Sequence, residues 1–310
     1  MMRGLMLSRY ARLFMLCLVA PVCANYFAYY GFVSHYSTGV FNPRGFHAQY
    51  DNEVFKYRLL GKSLFFGVYR ALEYLNPSAG GWERLRAFNG ADPVNFYHSY
   101  FLLNTLFLCL TLLVLSRHLT DVELLVVTLL VALTQFVVVP YDVLAYFFLA
   151  CTFAWRRSLA LTAFVVLLAA LNRETAALSL SLYASLLFLG RGGSLRGLAL
   201  LFSVFAATYL SLRLALGWSH AVGNEFTLIR YMNLNSAVGI GFALAAGFAL
   251  VRDRTAAGVF LLFSLPYVVS IFVTGNPFEA RLWVPLLLGV MLVQAAAAEE
   301  PFDAAPEHAS

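Results

Sequence analysis

Long apolar runs alternate with short polar linkers along almost the whole chain. A helix needs roughly 20 apolar residues to cross a bilayer whose hydrocarbon core is ~30 Å thick. By that measure the sequence predicts about ten transmembrane helices, although the three runs between 141 and 190 are short for a crossing. The predicted helices cover residues 11–33, 96–116, 122–139, 141–155, 158–171, 175–190, 197–216, 236–251, 256–274 and 281–297.

The composition agrees with this pattern, since 61% of the 310 residues are hydrophobic and only 12% are charged. An ordinary soluble domain is roughly 45–50% apolar and about 25% charged. We therefore expect an all-α, polytopic integral membrane protein with membrane lipids around it. Residues 1–297 would form one transmembrane domain, and the acidic, alanine-rich segment 298–310 would be a disordered tail. A separate soluble catalytic domain is excluded.

The positive charge is spread over the linkers and does not form a single basic face. The net charge of +5 therefore does not indicate a nucleic-acid partner. The four cysteines lie within or at the ends of apolar runs, where small core residues are more common than disulfides or metal ligands. The six histidines show no metal-ligand spacing, and no glycine-rich nucleotide-binding loop is present. No cofactor is expected, and a divalent metal is left open.

Arginines mark every second linker, and short basic linkers stay in the cytoplasm. With the N-terminus inside, the inner linkers carry Arg117, Arg156 with Arg157, Arg191 with Arg196, and Arg252 with Arg254. This predicts a protein of the bacterial cytoplasmic membrane with both termini in the cytoplasm. The N-terminal run can also be interpreted as a signal peptide cleaved near Ala24. Either interpretation places residues 34–95 outside the cytoplasm.

The outer linkers differ because they mix acids with bases close to the membrane. Ionisable groups there are costly unless they are paired or face a water-filled cavity, so they are candidates for a functional site. The candidates are Asp142, Arg173, Glu174, Glu279 and Arg281. Structural alternatives remain open: a helix N-cap for Asp142, a solvated turn for Arg173 and Glu174, and interfacial anchoring for Glu279 and Arg281.

The first outer loop contains two acids, Asp51 and Glu53, followed by the bases Lys56, Arg58 and Lys62. A carboxylate can act as general base toward a hydroxyl, and a nearby cation can neutralise a phosphate leaving group. A solvated surface cluster is the alternative. The segment 59–75 that follows is apolar but interrupted by charges, which predicts an interfacial amphipathic helix.

Four segments together resemble the bacterial polytopic glycosyltransferases of the GT-C type. They are 57–61 (Tyr-Arg-Leu-Leu-Gly), 140–142 (Pro-Tyr-Asp), 172–175 (Asn-Arg-Glu-Thr) and 277–285 (Pro-Phe-Glu-Ala-Arg-Leu-Trp-Val-Pro). The resemblance implies a GT-C-like fold and transfer of a sugar from a polyprenyl-phosphate carrier to a glycan or lipid acceptor outside the cytoplasm.

The resemblance also implies roles for individual residues. Asp51 would be the catalytic base or position the acceptor, with Glu53 as the second choice. Arg58, Arg173 and Arg281 would face the phosphate, because a guanidinium binds phosphate oxygens in a fixed fork. The remaining candidates would bind or orient substrate groups: Lys56, Asp142, Glu174 and Glu279.

Two other functions fit the same sequence. A lipid or polysaccharide transporter or flippase would carry charged groups near the middle of the membrane, whereas the centres of these runs are almost bare of them. A non-catalytic membrane subunit of a surface-polysaccharide pathway would keep the architecture without the reaction. Asp51-Asn52-Glu53 stands where the family has adjacent acids, which keeps this second alternative open.

Overall fold

The structure is a computed structural model that describes residues 9–31, 38–75, 94–218, 234–275, 277 and 279–299. Every regular element in these ranges is helical, and no strand occurs in them. The first helix contains two π-helical stretches, and short 3-10 helices occur at Thr38–Val40, Glu53–Tyr57 and Glu174–Ala176. The longer helices are α1 (Arg9–Gly31), α2 (Pro43–Tyr50), α3 (Leu59–Leu75), α4 (Val94–Leu115), α5 (Asp121–Thr134), α6 (Asp142–Ala154), α7 (Leu159–Asn172), α8 (Ala177–Phe188), α9 (Leu195–Leu216), α10 (Leu234–Leu250), α11 (Arg254–Phe263), α12 (Leu265–Thr274) and α13 (Ala280–Ala298).

Each predicted apolar run is helical, and most helix ends lie within two or three residues of the expected positions. The run 256–274 differs, because it breaks at Ser264 into α11 and α12, which are bent by 58°. The amphipathic segment 59–75 forms α3, as the sequence predicts.

Helix length limits how many of these segments cross a bilayer alone. Four helices are long and apolar enough, namely α1, α4, α9 and α13, and the bent pair α11 and α12 would make a fifth. Others are shorter; α7, with 14 residues, rises only about 21 Å at 1.5 Å per residue. The structure therefore supports four or five membrane-spanning helices among the described residues, and helix length does not establish the ten predicted crossings.

Linkers that alternate along the chain meet at opposite ends of the helical bundle. At one end Arg12 pairs with Asp121 at 2.5 Å, and Arg252, from a distant linker, pairs with Glu123 at 2.7 Å. At the other end Arg58 of the first loop pairs with Glu174 at 3.1 Å. These pairs bring the segments at residues 12, 121–123 and 252 together, and they separately join the first loop to the linker that follows α7.

The arginine-rich end is less bare of acids than the sequence suggested. Glu299 accepts a hydrogen bond from Arg156 at 2.5 Å and also pairs with His118, and Arg191 donates to the backbone oxygen of Ala297 at 2.8 Å. Acids therefore compensate the charge of the arginines at this end as well. The sequence predicts a disordered tail from residue 298, but Ala298 ends α13 and Glu299 is its C-cap; residues 300–310 lie outside the described part of the structure.

Helix α13 is the central element. Its residues 282–294 are all buried, and it packs against α5, α6, α8, α10 and α11. A helix that is apolar on all sides belongs in the interior of a bundle. By contrast, α1 and α9 keep most of their apolar surface exposed, with Phe202 at 60% and Leu214 at 73%. Such surface suits lipid contact and would promote aggregation in water.

A buried polar network joins α1, α4 and the end of α5. The Asn104 amide donates to the Tyr29 hydroxyl at 2.7 Å and to Gln135 at 3.1 Å, and Tyr29 donates to Gln135 at 3.0 Å. Asn104 also donates to the backbone oxygen of Val139 at 3.2 Å. Polar groups in an apolar interior are costly unless they are hydrogen-bonded, so this network fixes how the three helices pack.

Gly289 lets α11 approach α13 closely, since a Cβ atom there would lie 2.1 Å from the ring of Phe260. We predict that Gly289→Ala lowers the thermal stability of the detergent-purified protein, because overpacking a core costs about 1–3 kcal/mol. Thermal unfolding monitored by intrinsic fluorescence measures the change.

Gly247→Ala is the matched control, because nothing lies within 4 Å of a Cβ atom at that helical position. It should leave the melting temperature unchanged or raise it, since alanine favours helix over glycine by about 1 kcal/mol. Equal melting temperatures for the two variants would contradict the proposed close packing.

Candidate functional site

The first loop reaches the linkers that precede α6 and follow α7 through α3. A Cβ atom on Gly61 would lie 2.8 Å from both the Asn172 side-chain oxygen and Tyr141 Cβ, and 2.9 Å from the Pro140 oxygen. Only glycine allows this approach. The Asn172 amide in turn donates to the Tyr141 backbone oxygen at 2.9 Å. Three segments that are far apart in sequence therefore meet at one point.

The centre of this region is the buried carboxylate of Asp142, which is only 2% exposed. Arg173 donates from Nη1 to its Oδ1, and Arg281 lies with Nη1 3.4 Å from its Oδ2. The Arg281 Nε also donates to Glu279 at 2.6 Å. One carboxylate thus holds two guanidiniums from different helices, and a second carboxylate supports one of them.

Pro285 leaves a backbone carbonyl near Arg281 free to accept a side-chain hydrogen bond. Pro285 lies inside α13 and has no N–H, so it cannot donate to the carbonyl four residues earlier. That carbonyl, of Arg281, accepts from the Tyr146 hydroxyl at 3.3 Å, and the neighbouring carbonyl of Leu282 accepts from Tyr267 at 3.0 Å. Two tyrosines therefore hydrogen-bond to the backbone next to the arginine.

Arg58 and Glu174 form a second pair beside the first. Arg58 Nε donates to Glu174 at 3.2 Å, and its guanidinium lies 4.5 Å from the centre of the Tyr141 ring. Burial disfavours the charged form of both groups, but their mutual attraction outweighs it. The pKa of Glu174 is therefore lowered and the pKa of Arg58 is raised, so both remain charged at neutral pH.

We call these six side chains the arginine–carboxylate cluster: Arg58, Asp142, Arg173, Glu174, Glu279 and Arg281. The sequence predicted all six, and the structure brings them together. Their three positive and three negative charges balance. Several polar atoms among and beside them are buried without a hydrogen-bond partner, namely Arg173 Nε, Glu174 Oε1 and Thr175 Oγ1. Buried polar atoms of this kind are available to a bound ligand or water.

The purely structural roles that the sequence allowed for these residues, namely a helix cap, a solvated turn and an interfacial anchor, explain only part of the observed contacts. Asp142 is the first residue of α6, whereas the N-cap is Tyr141, so a capping role does not explain the acid. Arg173 is 7% exposed and therefore does not lie on a solvated turn. Arg281 contacts Asp142 as well as Glu279, which is more than interfacial anchoring requires.

Asp51 lies outside the cluster but close to it. Its carboxylate is about half exposed and accepts from Lys62 at 3.2 Å, while its other oxygen lies 2.7 Å from His47 Nδ1. Lys62 also donates to the backbone oxygen of Tyr50, whose ring contacts Tyr141. Burial raises the pKa of Asp51, but the hydrogen bonds and positive charges of His47 and Lys62 together outweigh it, so the pKa of Asp51 is lowered.

The two remaining candidates in the first loop take other positions. Glu53 begins the short helix Glu53–Tyr57, and its side chain lies outside the described part of the structure. Lys56 is half-buried, with Nζ 5.2 Å from the centre of the Tyr57 ring, on the side of the loop that faces α9. Neither Lys56 nor Asp51 shares a described ion pair with the arginine–carboxylate cluster.

Sequence reasoning missed the aromatic and cationic partners of these groups. Tyr50 and Tyr141 are fully buried beside the arginines. The spacing of His47 and Asp51, four residues apart, is a detectable helical signal for a side-chain pair. No residue spacing could have indicated that Tyr141 contacts both Arg58 and Arg173.

Within the described ranges, no group of three or more histidine, cysteine, aspartate or glutamate side chains is arranged to hold a metal ion. The chain matches no protein-family model, and no curated protein or solved structure is significantly similar to it. The candidate site therefore has to be interpreted from its own chemistry.

We predict that Asp142→Asn destabilises the protein strongly, because it leaves the buried Arg173 without its counter-charge and removes one of the two acids beside Arg281. Breaking a buried pair by removing one partner costs about 3–5 kcal/mol. Thermal unfolding and size-exclusion chromatography of the detergent-purified variant measure the loss.

Asp121→Asn is the matched control, since Asp121 is about half exposed and pairs with Arg12 at the opposite end of the bundle. That substitution should cost about 1 kcal/mol or less. If both variants melted at the same temperature, Asp142 would not have the central structural role assigned to it.

Proposed function

We propose that the chain is a GT-C-like membrane glycosyltransferase that transfers a sugar from a polyprenyl-phosphate carrier to a glycan or lipid acceptor on the extracytoplasmic face. The observation that carries the proposal is the convergence of residues from four separate segments at one end of the bundle. Three arginines lie there among buried aromatic rings, and a half-exposed aspartate lies at the edge.

In this proposal the cluster lies next to the carrier phosphate, where guanidiniums can neutralise the leaving group. Glu174, Asp142 and Glu279 keep the arginines oriented. Asp51 faces the acceptor hydroxyl and acts on it as a base or positions it. Its lowered pKa keeps the carboxylate ionised at neutral pH but also makes it a weaker base, which favours positioning.

We further propose that the bundle crosses the bacterial cytoplasmic membrane ten times, with both termini in the cytoplasm, and that residues 1–297 form the transmembrane domain. The alternation of linkers between the two ends of the bundle supports this topology. The short helices α6, α7 and α8 pack among α4, α9 and α13, so other helices rather than lipid cover much of their surface. A locally thinned bilayer would accommodate them.

A non-catalytic membrane subunit is the second candidate function. It is favoured by the charge balance of the cluster, because each of the three arginines already has a carboxylate partner. Buried ion pairs of this kind can have a purely structural role, which is to specify how helices pack.

We predict that Asp51→Asn abolishes glycan formation while expression and membrane insertion stay normal, because the amide keeps the shape of the side chain but loses its charge. Cells that lack the chromosomal copy and produce the variant should make no surface glycan, as measured by gel analysis of extracted polysaccharide.

Asp121→Asn, a similarly exposed acid at the opposite end, should leave glycan formation intact. Normal glycan in the Asp51→Asn cells would remove Asp51 from the mechanism. Normal glycan in cells with no copy of the chain would refute a role in this pathway.

The topology can be tested separately with a membrane-impermeant thiol reagent. In a background without the native cysteines, we expect Asn52→Cys to react on intact cells and Arg196→Cys to react only after permeabilisation. Both side chains are exposed, so accessibility in the folded protein does not distinguish them. The reverse labelling pattern would place the cluster on the cytoplasmic face.

A further inference from the structure

Arg213 is a buried arginine that has no carboxylate partner among the residues that the structure describes. It lies in the last turn of α9 and is only 8% exposed. No hydrogen bond or ion pair connects it to any residue in the described ranges, and its Nε is buried without a partner. Every arginine of the arginine–carboxylate cluster, by contrast, contacts an acid.

Aromatic rings surround the Arg213 guanidinium. Its central carbon lies 4.4 Å from the centre of the Tyr57 ring, 4.3 Å from Tyr209 and 5.8 Å from Trp218. Cation–π contacts stabilise a guanidinium and fix its orientation, but they leave its N–H donors unused. The proximity of the α9 C-terminus also favours a cation, yet it supplies no counter-ion.

Lys56 provides a second cation beside the same ring. Its Nζ lies 5.2 Å from the centre of the Tyr57 ring, and no acid among the described residues pairs with it. The Tyr57 hydroxyl donates to the Gly217 oxygen at 2.5 Å, which ties the loop to the end of α9. Trp218 is 61% exposed, so the site is open at its rim.

We propose that Arg213 and Lys56, together with Tyr57, Tyr209 and Trp218, form a binding site for the phosphate group of a lipid-linked phosphate ester. A phosphate oxyanion would supply the charge and the hydrogen-bond acceptors that Arg213 lacks. The site lies at the end of a membrane-length helix, which is the depth at which lipid phosphates occur. The rings would contact the first apolar carbons of the chain or a sugar face.

This site is adjacent to the arginine–carboxylate cluster, because Tyr57 and Arg58 are neighbours in sequence and face different sides of the loop. The arginine–carboxylate cluster has no net charge, so the excess positive charge in this region comes from Arg213 and Lys56. As a site for the sugar carrier this inference rests on the proposed transferase function, whereas phosphate binding itself does not.

The test is equilibrium binding of radiolabelled farnesyl phosphate to the full-length protein in phosphatidylcholine nanodiscs, with farnesol as the uncharged counterpart. We expect Arg213→Gln and Lys56→Gln to weaken binding of farnesyl phosphate, Arg213→Gln by about tenfold or more, as expected when a charge-assisted hydrogen bond is lost. Binding of farnesol should not change. Arg213→Lys should retain part of the affinity.

Arg196→Gln is the matched control, because Arg196 is an exposed arginine at the opposite end of the same helix. It should bind like the wild type. Melting temperatures of the ligand-free variants establish that each is folded, and Arg213→Gln should be at least as stable as the wild type because it removes a buried charge that lacks a counter-ion.

Competition identifies the source of the phosphate. Displacement by phosphatidylglycerol in the nanodisc would indicate a bilayer phospholipid, and displacement only by unlabelled prenyl phosphate would indicate the carrier; either result supports the phosphate site. Undiminished affinity in Arg213→Gln, or an equal loss for farnesol, would overturn it. This assay measures binding and not sugar transfer. A failure to detect sugar transfer would therefore leave the binding result intact, and a failure to bind phosphate at Arg213 would not by itself refute the proposed transfer reaction.

Discussion

The contact of the Asp142 carboxylate with Arg173 and Arg281 is the interaction on which this end of the bundle depends. Taking two guanidiniums out of water costs several kcal/mol each, and that cost is offset only when an opposite charge is in place with good geometry. Here the acid belongs to the first turn of α6, while the bases follow α7 and begin α13. The pairing therefore fixes three helix ends relative to one another.

Other features near this point serve the same arrangement. Pro285 prevents one backbone hydrogen bond in α13, and the hydroxyl of Tyr146 occupies the freed carbonyl beside Arg281. Gly61 allows α3 to touch the linker that precedes Asp142, so the first loop and its Arg58–Glu174 pair join the same region. Local backbone features thus position charged groups that the chain supplies from distant segments.

The two ends of the bundle use charge differently. At the Glu299 end, arginines bind the C-terminus of α13, where cations are favoured by the helix dipole and by free carbonyl groups. At the Asp142 end, balanced pairs lie against unbalanced cations at Arg213 and Lys56. A stable scaffold needs only the balanced pairs. The unbalanced cations are the feature that points to a ligand.

The sequence by itself determined the all-helical class and the position of nearly every helix. Those properties follow from local apolar runs and from the cost of placing charge in lipid. It also identified all six members of the arginine–carboxylate cluster, because charged residues at the ends of apolar runs are conspicuous. Only the tertiary structure decided which acid pairs with which base, that the run 256–274 breaks at Ser264 and that Asp51 lies at the edge of the cluster. It also decided that Arg213 has no acid beside it within the described ranges. Pairing depends on distances between residues tens or hundreds of positions apart, and those distances are set by helix packing, which hydropathy does not encode.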